Sequence, residues 1–176
     1  LMAGYLIEAE PGATMIYDVR CSWAVRDVVE AAGGTALQER VGHSFLKPRL
    51  LREAGVFAGE LSGHYYFRDF FGADSGLVPS LILMQMMSER QQTMSQMLSP
   101  LESRYFLSGE INSQVADPLA KIEEIAARYG DGLTERVDGV SISFDDWHFN
   151  VRASNTEPLL RLNLEAMSRQ RMEQQR

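Results

Sequence analysis

The first half of the chain alternates short apolar runs with amphipathic helical patterns, and this alternation restricts the possible folds more than any other feature. Apolar runs at residues 13–20, 35–41 and 56–60 are typical of buried strands. The segments between them, 22–34 and 44–55, carry apolar residues at helical spacing and end in glycine. Strand, helix, strand, helix, strand is the order that builds a sheet covered by helices. The sequence therefore predicts an α/β layered domain.

A methionine-rich segment follows a fourth predicted strand at residues 64–67. The segment covers residues 77–98, and its continuous apolar character predicts one long helix. Methionine is flexible and polarizable, and it most often fills irregular gaps in a core. We therefore interpret the methionines as core residues rather than as a cofactor site.

The second half of the chain has a different order of elements. A strand-like run at residues 104–111 precedes Asp117-Pro118, which is typical of a helix N-cap followed by proline in the first turn. Three runs then alternate apolar with polar residues, at 140–144, 147–152 and 160–165. A strand, a helix and three strands predict an α+β domain whose antiparallel sheet has one face in water.

The change of pattern near residues 99–103 predicts a domain boundary. We expect an α/β domain over residues 1–100 and an α+β domain over residues 101–176. The first residues resemble the middle of a helix and the last residues resemble a helix cut short. We therefore expect the chain to be a fragment of a longer one.

Composition limits the possible partners. The net charge of −7 and the pI of about 5.0 argue against general binding to nucleic acid or to anionic membranes. The sequence has no run of about 18 apolar residues, the length that a membrane-spanning helix needs. Cys21 is the single cysteine, so no disulfide within the chain and no cysteine zinc cage can form. A reducing, cytoplasmic location fits this composition best.

A polar loop at residues 58–64, AGELSGH, is the first candidate binding site. An ionised Glu60 can only accept hydrogen bonds, which suits a ligand rich in hydroxyl groups. Ser62 and His64 can donate or accept, and the two glycines allow close approach of a ligand. These residues could hold the hydroxyls of a sugar. A plain β-turn, in which Glu60 caps nearby amides, remains the alternative.

A second polar loop, VRASNTEP at residues 151–158, lies between two predicted strands. The planar fork of an arginine matches phosphate oxygens, and hydroxyl, amide and backbone groups add neutral donors. The loop therefore predicts an anion site made of Arg152, Ser154, Asn155 and Thr156. A turn that satisfies only its own backbone is the alternative.

Other polar residues are weaker candidates. Arg20 ends a strand, where functional residues of α/β sheets are common. His43 opens a predicted helix, whose first amides favour an anion. His148 lies on the polar side of a strand and is interpreted as a surface residue. Asp145-Asp146 is better explained as a turn than as a metal site, and no serine has an obvious general base nearby.

Four segments resemble motifs of the α-D-phosphohexomutase superfamily, in the right order. GELSGHYYF (59–67) resembles its sugar-binding loop and RASNTEP (152–158) its phosphate-binding loop. YDVRCS (17–22) and GHSFLK (42–47) resemble two further family segments. Leu61 fits the phosphomannomutase/phosphoglucomutase group, while phosphoglucosamine mutases, which often have glutamine there, are a close alternative.

The resemblance implies domains three and four of a four-domain enzyme, each slightly trimmed. Domain three of the family is an α/β/α layer, and domain four is an α+β fold like that of the TATA-box-binding protein. The family's serine loop and aspartate-rich Mg²⁺ loop have no counterpart in this sequence. The resemblance therefore implies that the missing N-terminal domains supply the phosphoserine and the Mg²⁺ site, and that this fragment alone is inactive.

Individual roles follow from the matched motifs. Glu60 and Ser62 would bind the sugar's 3- and 4-hydroxyls, and the phosphate would be bound by Arg152, Ser154, Asn155 and Thr156. Supporting residues near the reacting end would be Arg20, His43 and His64. The intact enzyme would interconvert hexose 1-phosphate and hexose 6-phosphate through the phosphoserine and a bisphosphate intermediate. A phosphoglucosamine mutase fragment and a non-catalytic phosphosugar-binding module remain alternatives, and the sequence does not select among mannose, glucose and glucosamine.

Overall fold

The computed structural model describes residues 1–154 and 157–176. The chain divides into two compact units, Leu1–Ser103 and Arg104–Arg176. Each unit contains its own five-stranded sheet and its own apolar core. An α/β unit followed by an α+β unit confirms the predicted fold class.

The first unit is a mixed sheet with helices. Its elements are α1 (Met2–Ala9), β1 (Thr14–Asp18), α2 (Trp23–Ala31), β2 (Thr35–Glu39), α3 (His43–Arg52), β3 (Phe57–Gly59), β4 (Tyr65–Phe67), a 3-10 turn (Arg68–Phe70), β5 (Ala73–Asp74), α4 (Leu77–Arg90) and α5 (Met94–Glu102). The strand order is β2-β1-β3-β4-β5, with β1 parallel to both β2 and β3. The last two strands join antiparallel. The connections that follow β1, β2 and β3 therefore lie along one edge of the sheet.

Local signals explain why α2 forms where it does. The side chain of Ser22 accepts a hydrogen bond from the amide of Ala24 at 3.0 Å, which caps the first turn. Val29 turns inward and is fully buried beside Ile7 and Met15. This packing holds the helix against the sheet and fixes the position of the β1 end.

The methionine-rich segment is two helices, so the prediction of one helix over residues 77–98 is wrong. The backbone at Gln91 is left-handed, with φ of 51°, and this ends α4. Thr93 then begins α5 with a capping box, in which the Thr93 amide donates to the Gln96 side chain at 2.8 Å. The capping signal of Thr93 and Gln96 outweighs the continuous apolar pattern. Met86 and Met97 are nevertheless buried in the core.

The second unit is an antiparallel sheet with two helices. Its elements are β6 (Phe106–Gln114), α6 (Pro118–Arg128), β7 (Leu133–Glu135), β8 (Val140–Ser143), β9 (Trp147–Ala153), β10 (Leu159–Ala166) and α7 (Arg169–Gln175). The strand order is β6-β10-β9-β8-β7. Asp117 caps α6 by accepting a hydrogen bond from the amide of Ala120 at 3.0 Å, as predicted. The core of this unit includes Ile122, Trp147, Phe149 and Met172.

The centre of the opposite face of this sheet is buried, so the prediction that this face lies in water is wrong there, although residues nearer the edge, such as Glu110, are exposed. His148, which was interpreted as a surface residue, is only 9 % exposed. Its Nε2 atom lies 2.9 Å from Oε2 of Glu165, which is also buried. Asn150, 1 % exposed, donates to Oγ of Ser141 at 3.0 Å. Polar groups can be buried at modest cost when they hydrogen-bond to each other, and these do so across neighbouring strands.

No helix within the described ranges is both long enough and apolar enough to cross a membrane.

Candidate functional site

In the first unit, the predicted site residues follow three parallel strands. Arg20 follows β1, His43 follows β2, and the segment 60–64 follows β3. Because these strands are parallel neighbours, their carboxyl ends meet at one edge of the sheet. The fold therefore brings the three predicted segments to the same edge.

Asp18 organises this edge, although the sequence analysis did not single it out. It is the last residue of β1 and is fully buried. The guanidinium of Arg20 donates to its two carboxylate oxygens, at 3.1 and 2.7 Å. Burial alone would lower the pKa of Arg20, but the hydrogen bond and charge of Asp18 outweigh this effect and raise it. Arg20 is therefore held as a cation.

Glu60 is recessed and contacts other side chains. It is 7 % exposed, and its Oε1 atom accepts a hydrogen bond from the Tyr66 hydroxyl at 2.8 Å. Its Oε2 atom lies 3.6 Å from the Arg20 guanidinium and 3.5 Å from the Ser62 hydroxyl. Burial raises the pKa of Tyr66, and the hydrogen bond to Glu60 raises it further. These side-chain partners argue against the alternative in which Glu60 caps nearby amides.

The loop itself is a tight turn with an exposed tip. The Gly63 amide donates to the Glu60 carbonyl at 3.0 Å, and Gly63 has φ of 83°, a conformation that favours glycine. Ser62 and His64 are exposed, with Oγ and Nδ1 2.9 Å apart. The loop thus presents two exposed polar side chains beside a buried carboxylate.

The two remaining polar residues at this edge differ in their contacts. His43 is the first residue of α3, and no hydrogen bond or ion pair among the described residues joins it to Glu60 or His64. Burial and the nearby Asp18 charge raise the pKa of the Cys21 thiol to about 12. Since the thiolate is the reactive form, Cys21 is a poor nucleophile here.

In the second unit, Arg152 lies on β9 directly opposite Arg161 on β10. One carboxylate contacts both guanidinium groups: Oε2 of Glu110 lies 3.3 Å from Arg152, and Oε1 lies 3.1 Å from Arg161. Arg161 also donates to Oγ of Ser154 at 3.4 Å. The structure thus brings two predicted residues, Arg152 and Ser154, together with two that the sequence analysis missed.

The connection from β9 to β10 closes at Ser154, whose amide donates to the carbonyl of Leu159 at 2.9 Å. Asn155 and Thr156, the other two predicted phosphate-binding residues, lie outside the described residues. Gly139, which precedes β8, packs against Val151 and Arg152 near the end of β9. A Cβ atom at Gly139 would lie 2.7 Å from the Cα atom of Arg152.

The missed residues share one property, which is that nonlocal pairing brings them to the site. Glu110 and Arg161 are unremarkable polar positions on alternating strands, and only the register of the sheet brings them beside Arg152. The alternation around Arg161, next to the polar loop, was the one local signal that could have drawn attention to it. In the part of the chain that the structure describes, no three His, Cys, Asp or Glu side chains are grouped to hold a metal ion.

Comparisons with known proteins agree with this architecture. Residues 1–105 match the family model described as phosphoglucomutase/phosphomannomutase, alpha/beta/alpha domain III. Residues 110–176 match the model of the C-terminal domain of the same family. A crystal structure of a phosphoglucomutase/phosphomannomutase family protein from Burkholderia thailandensis superimposes with a TM-score of 0.85 and 30% identity, over 98% of this chain and 37% of that chain.

Curated relatives carry the same family names. A phosphomannomutase from Salmonella typhimurium is 41% identical over 168 residues, which cover 94% of this chain and 37% of the Salmonella protein. A phosphomannomutase from Methanocaldococcus jannaschii is 40% identical over 166 residues, again 37% of its length. This chain thus spans little more than a third of the relatives that it matches. The chain belongs to the phosphoglucomutase/phosphomannomutase family, and it contains the α/β/α domain III and the C-terminal domain of that family.

Proposed function

We propose that this chain is the sugar- and phosphate-holding part of a phosphohexomutase. Such an enzyme interconverts hexose 1-phosphate and hexose 6-phosphate through a phosphoserine and a bisphosphate intermediate. The observation that carries the proposal is that both halves of the chain match domains of one family, whose matched relatives are named phosphomannomutases. The arrangement of polar side chains in each unit supports it.

Glu60 is proposed to accept hydrogen bonds from the sugar hydroxyls, with Ser62 beside it. One carboxylate oxygen is engaged by Tyr66, but the neighbours of Oε2 lie at 3.5 and 3.6 Å. These distances are longer than those of strong hydrogen bonds, so Oε2 keeps the capacity to accept one from a ligand. Exposed Ser62 can supply a second contact to an adjacent hydroxyl.

Three further residues are proposed to act near the reacting end of the sugar phosphate. The Arg20 guanidinium uses two of its N–H groups on Asp18, and the remaining ones can donate to an anionic group at this edge. His64 is exposed next to Ser62, and His43 lies at the amino end of α3, where amide dipoles favour a negative charge.

Arg152 and Ser154 are proposed to bind the non-reacting phosphate together with Asn155 and Thr156. The buried guanidinium of Arg152 supplies a charge-assisted donor, and the Ser154 hydroxyl lies at the end of the same strand. Neutral donors from the loop would complete the set.

The chemical step is proposed to depend on domains outside this chain. The described side chains do not form a group that fits Mg²⁺, so the Mg²⁺ of the full-length enzyme would be held elsewhere, as would the phosphoserine. We infer that the chain alone is inactive and that the enzyme acts in the cytoplasm. The residues described here would contribute positioning and electrostatic stabilisation.

The direct test measures conversion of mannose 1-phosphate to mannose 6-phosphate by the 176-residue chain and by a full-length family enzyme that contains it. We expect activity only from the full-length enzyme. Robust turnover by the chain alone would contradict the assignment of the chemistry to other domains. The assay is repeated with glucose phosphate and with glucosamine phosphate. A preference of the full-length enzyme for glucosamine phosphate would favour the phosphoglucosamine mutase alternative.

Two substitutions in the full-length enzyme separate the sugar role from the phosphate role. Arg152→Ala should weaken binding of phosphosugar by about 1.5–3 kcal/mol, through loss of a charge-assisted contact. Glu60→Gln should reduce discrimination among sugars more than affinity for inorganic phosphate. Arg136→Ala removes an equal charge from an exposed pair with Glu123 and serves as the control. Unchanged affinity in Arg152→Ala would contradict the phosphate assignment.

A further inference from the structure

The hydroxyl of Tyr66 reaches from the apolar core of the first unit to the candidate sugar loop. Tyr66 lies on β4 and is only 2 % exposed. Its ring belongs to the same buried cluster as Ile16 of β1 and Leu46 and Leu50 of α3. Closely packed core side chains keep to one rotamer. The packing of the ring therefore holds its hydroxyl at one fixed point.

The partner of this hydroxyl is Glu60, the acidic residue of the loop. The Tyr66 hydroxyl donates to Oε1 of Glu60 at 2.8 Å, and Glu60 is itself 7 % exposed. Burial raises the pKa of Tyr66, and the hydrogen bond to Glu60 raises it further, so the hydroxyl keeps its proton and remains a donor at neutral pH. A free glutamate side chain would sample several rotamers. Tyr66 removes this freedom by fixing the end of the Glu60 side chain.

The hairpin between β3 and β4 explains why these two side chains meet. Ala58 pairs with Tyr66, and the pairing continues to Glu60, whose amide donates to the carbonyl of His64 at 2.9 Å. Side chains alternate along a strand, so Ala58, Glu60 and Tyr66 lie on the same face of the hairpin. Tyr66 is thus the diagonal neighbour of Glu60, at a separation that an aromatic side chain can span.

The two oxygens of Glu60 differ in their surroundings. Oε1 is engaged by Tyr66, whose ring lies in the core. Oε2 lies 3.5 Å from the hydroxyl of the exposed Ser62 and 3.6 Å from the guanidinium of Arg20. Both distances are longer than those of strong hydrogen bonds. A sugar hydroxyl at this loop would therefore meet one carboxylate oxygen in one fixed direction, rather than a carboxylate that can turn.

We propose that Tyr66 is a positioning residue of the sugar site, which turns Oε2 of Glu60 towards the sugar and thereby makes the enzyme select between sugar epimers. The inference rests on the proposed function, in which Glu60 accepts hydrogen bonds from the sugar hydroxyls. Tyr66 does not contact the sugar and acts only through Glu60. A rigid supporting residue of this kind fixes the geometry of the group that binds the ligand.

A fixed acceptor distinguishes sugars by the direction in which a hydroxyl points. In mannose and glucose the 3- and 4-hydroxyls are both equatorial, so they lie along one edge of the ring and can approach the same carboxylate oxygen. The 4-epimers place the 4-hydroxyl axially, away from that edge. Hydrogen bonds weaken steeply when their geometry is bent, and fixed polar groups reject a ligand that leaves them unpaired. Tyr66 should therefore strengthen the preference for an equatorial 4-hydroxyl.

The experiment compares Tyr66→Phe with the wild type in a full-length family enzyme that contains this chain. Both are assayed with mannose 1-phosphate and with its 4-epimer, talose 1-phosphate. We expect kcat/KM for mannose 1-phosphate to fall about tenfold or more, because a small displacement of a positioned group is costly. The value for talose 1-phosphate should fall less, so that the preference for mannose narrows. Equal falls for both sugars would overturn the inference, since general damage to the fold affects both alike.

Tyr65→Phe is the matched control. Tyr65 is the neighbour of Tyr66 on β4, but its ring stacks on Phe57 and packs in a different cluster. Removal of its hydroxyl should leave the preference for mannose at the wild-type value. A change as large as that of Tyr66→Phe would overturn the inference, because the effect would then not depend on the contact with Glu60.

A double-mutant cycle tests whether Tyr66 acts through Glu60. In an enzyme that already carries Glu60→Ala, Tyr66→Phe should cause no further loss of kcat/KM for mannose 1-phosphate. The same loss in both backgrounds would overturn the inference. Should Tyr66→Phe fail to fold, Glu60→Asp tests the same contact, because the shorter side chain withdraws the carboxylate from the Tyr66 hydroxyl. A wild-type preference for mannose in Glu60→Asp would also overturn it.

The outcomes separate this inference from the function on which it rests. If Glu60→Ala lowers kcat/KM for mannose 1-phosphate and Tyr66→Phe changes neither the rate nor the preference, the positioning role of Tyr66 is wrong and Glu60 keeps its proposed role. If Glu60→Ala itself has no effect, the proposed sugar-binding role of Glu60 is wrong.

Discussion

The backbone amide of Leu61 donates a hydrogen bond to Oδ2 of Asp18 at 2.9 Å, although the two residues are 43 positions apart in the sequence. Asp18 ends β1, and Leu61 lies in the connection after β3. The same carboxylate binds the guanidinium of Arg20. One buried acid therefore fixes both the backbone of the candidate sugar loop and the cation beside it.

Replacing this acid should destabilise the first unit strongly. Asp18→Asn keeps the shape of the side chain but removes the main anionic partner of the nearly buried Arg20, which keeps only the more distant carboxylate of Glu60 at 3.6 Å. Removing one partner of a buried ion pair costs about 3–5 kcal/mol. Urea unfolding of the chain measures the effect. Asp69→Asn, which breaks an exposed pair with Arg68, is the control and should change the free energy of unfolding by about 1 kcal/mol or less. Equal effects of the two substitutions would contradict the role given to Asp18.

Tyr66 should make the stability of the first unit depend on pH in the alkaline range. Burial and the hydrogen bond to Glu60 raise its pKa above the ordinary value of 10.0. The unfolded tyrosine loses its proton as the pH passes 10.0, while the folded one keeps it. The contribution of Tyr66 to the free energy of unfolding is therefore complete below pH 10.0. It declines as the pH rises further, towards the pKa of the folded tyrosine.

The comparison of Tyr66→Phe with the wild type isolates this contribution. We expect the variant to lose about 1 kcal/mol at neutral pH, from the missing hydrogen bond, and to show a shallower decline of unfolding free energy above pH 10. Denaturant unfolding from pH 8 to pH 11 gives the slope of unfolding free energy against pH for the wild type and for the variant. Tyr65→Phe on the same strand is the matched control. Parallel curves for Tyr66→Phe and the wild type would contradict the expectation.

Gly139 should tolerate no side chain. Its φ is 67°, and a Cβ atom there would lie 2.1 Å from the carbonyl oxygen of Val151. The positive φ would strain any residue with a side chain. The added Cβ atom would also collide with main-chain atoms, which cannot move aside as a flexible side chain can. Gly139→Ala should therefore cost at least about 2 kcal/mol and displace Arg152, which weakens phosphosugar binding. Gly130→Ala is the control, since its nearest neighbour would be 3.4 Å from the new Cβ atom.

Local patterns predicted the elements whose ends carry their own signals. The N-cap of α6 at Asp117 is an example. The capping box at Thr93 was present in the sequence too, but the apolar residues on both sides suggested a continuous helix. Patterns thus locate elements best where capping and apolar spacing agree.

The candidate site was only partly predictable, because several of its residues are brought together only by the pairing of strands. Glu60 and Arg152 could be selected from residue type and loop context. The proximity of Arg161 to Arg152 depends on the register of β9 and β10, and that of Asp18 to Leu61 on the parallel pairing of β1 and β3. His148 was misjudged for a related reason, since alternation marks a polar face but not whether that face is buried.

The supports of Glu60 have a consequence for protein engineering. Its carboxylate rests on Tyr66 and Arg20, and its loop is tied to Asp18, so the loop's geometry depends on the end of β1 and on β4. Moving residues 59–64 alone onto another scaffold would leave the loop without these anchors. In chimaeras built from two relatives, residues 18–66 should therefore come from one parent.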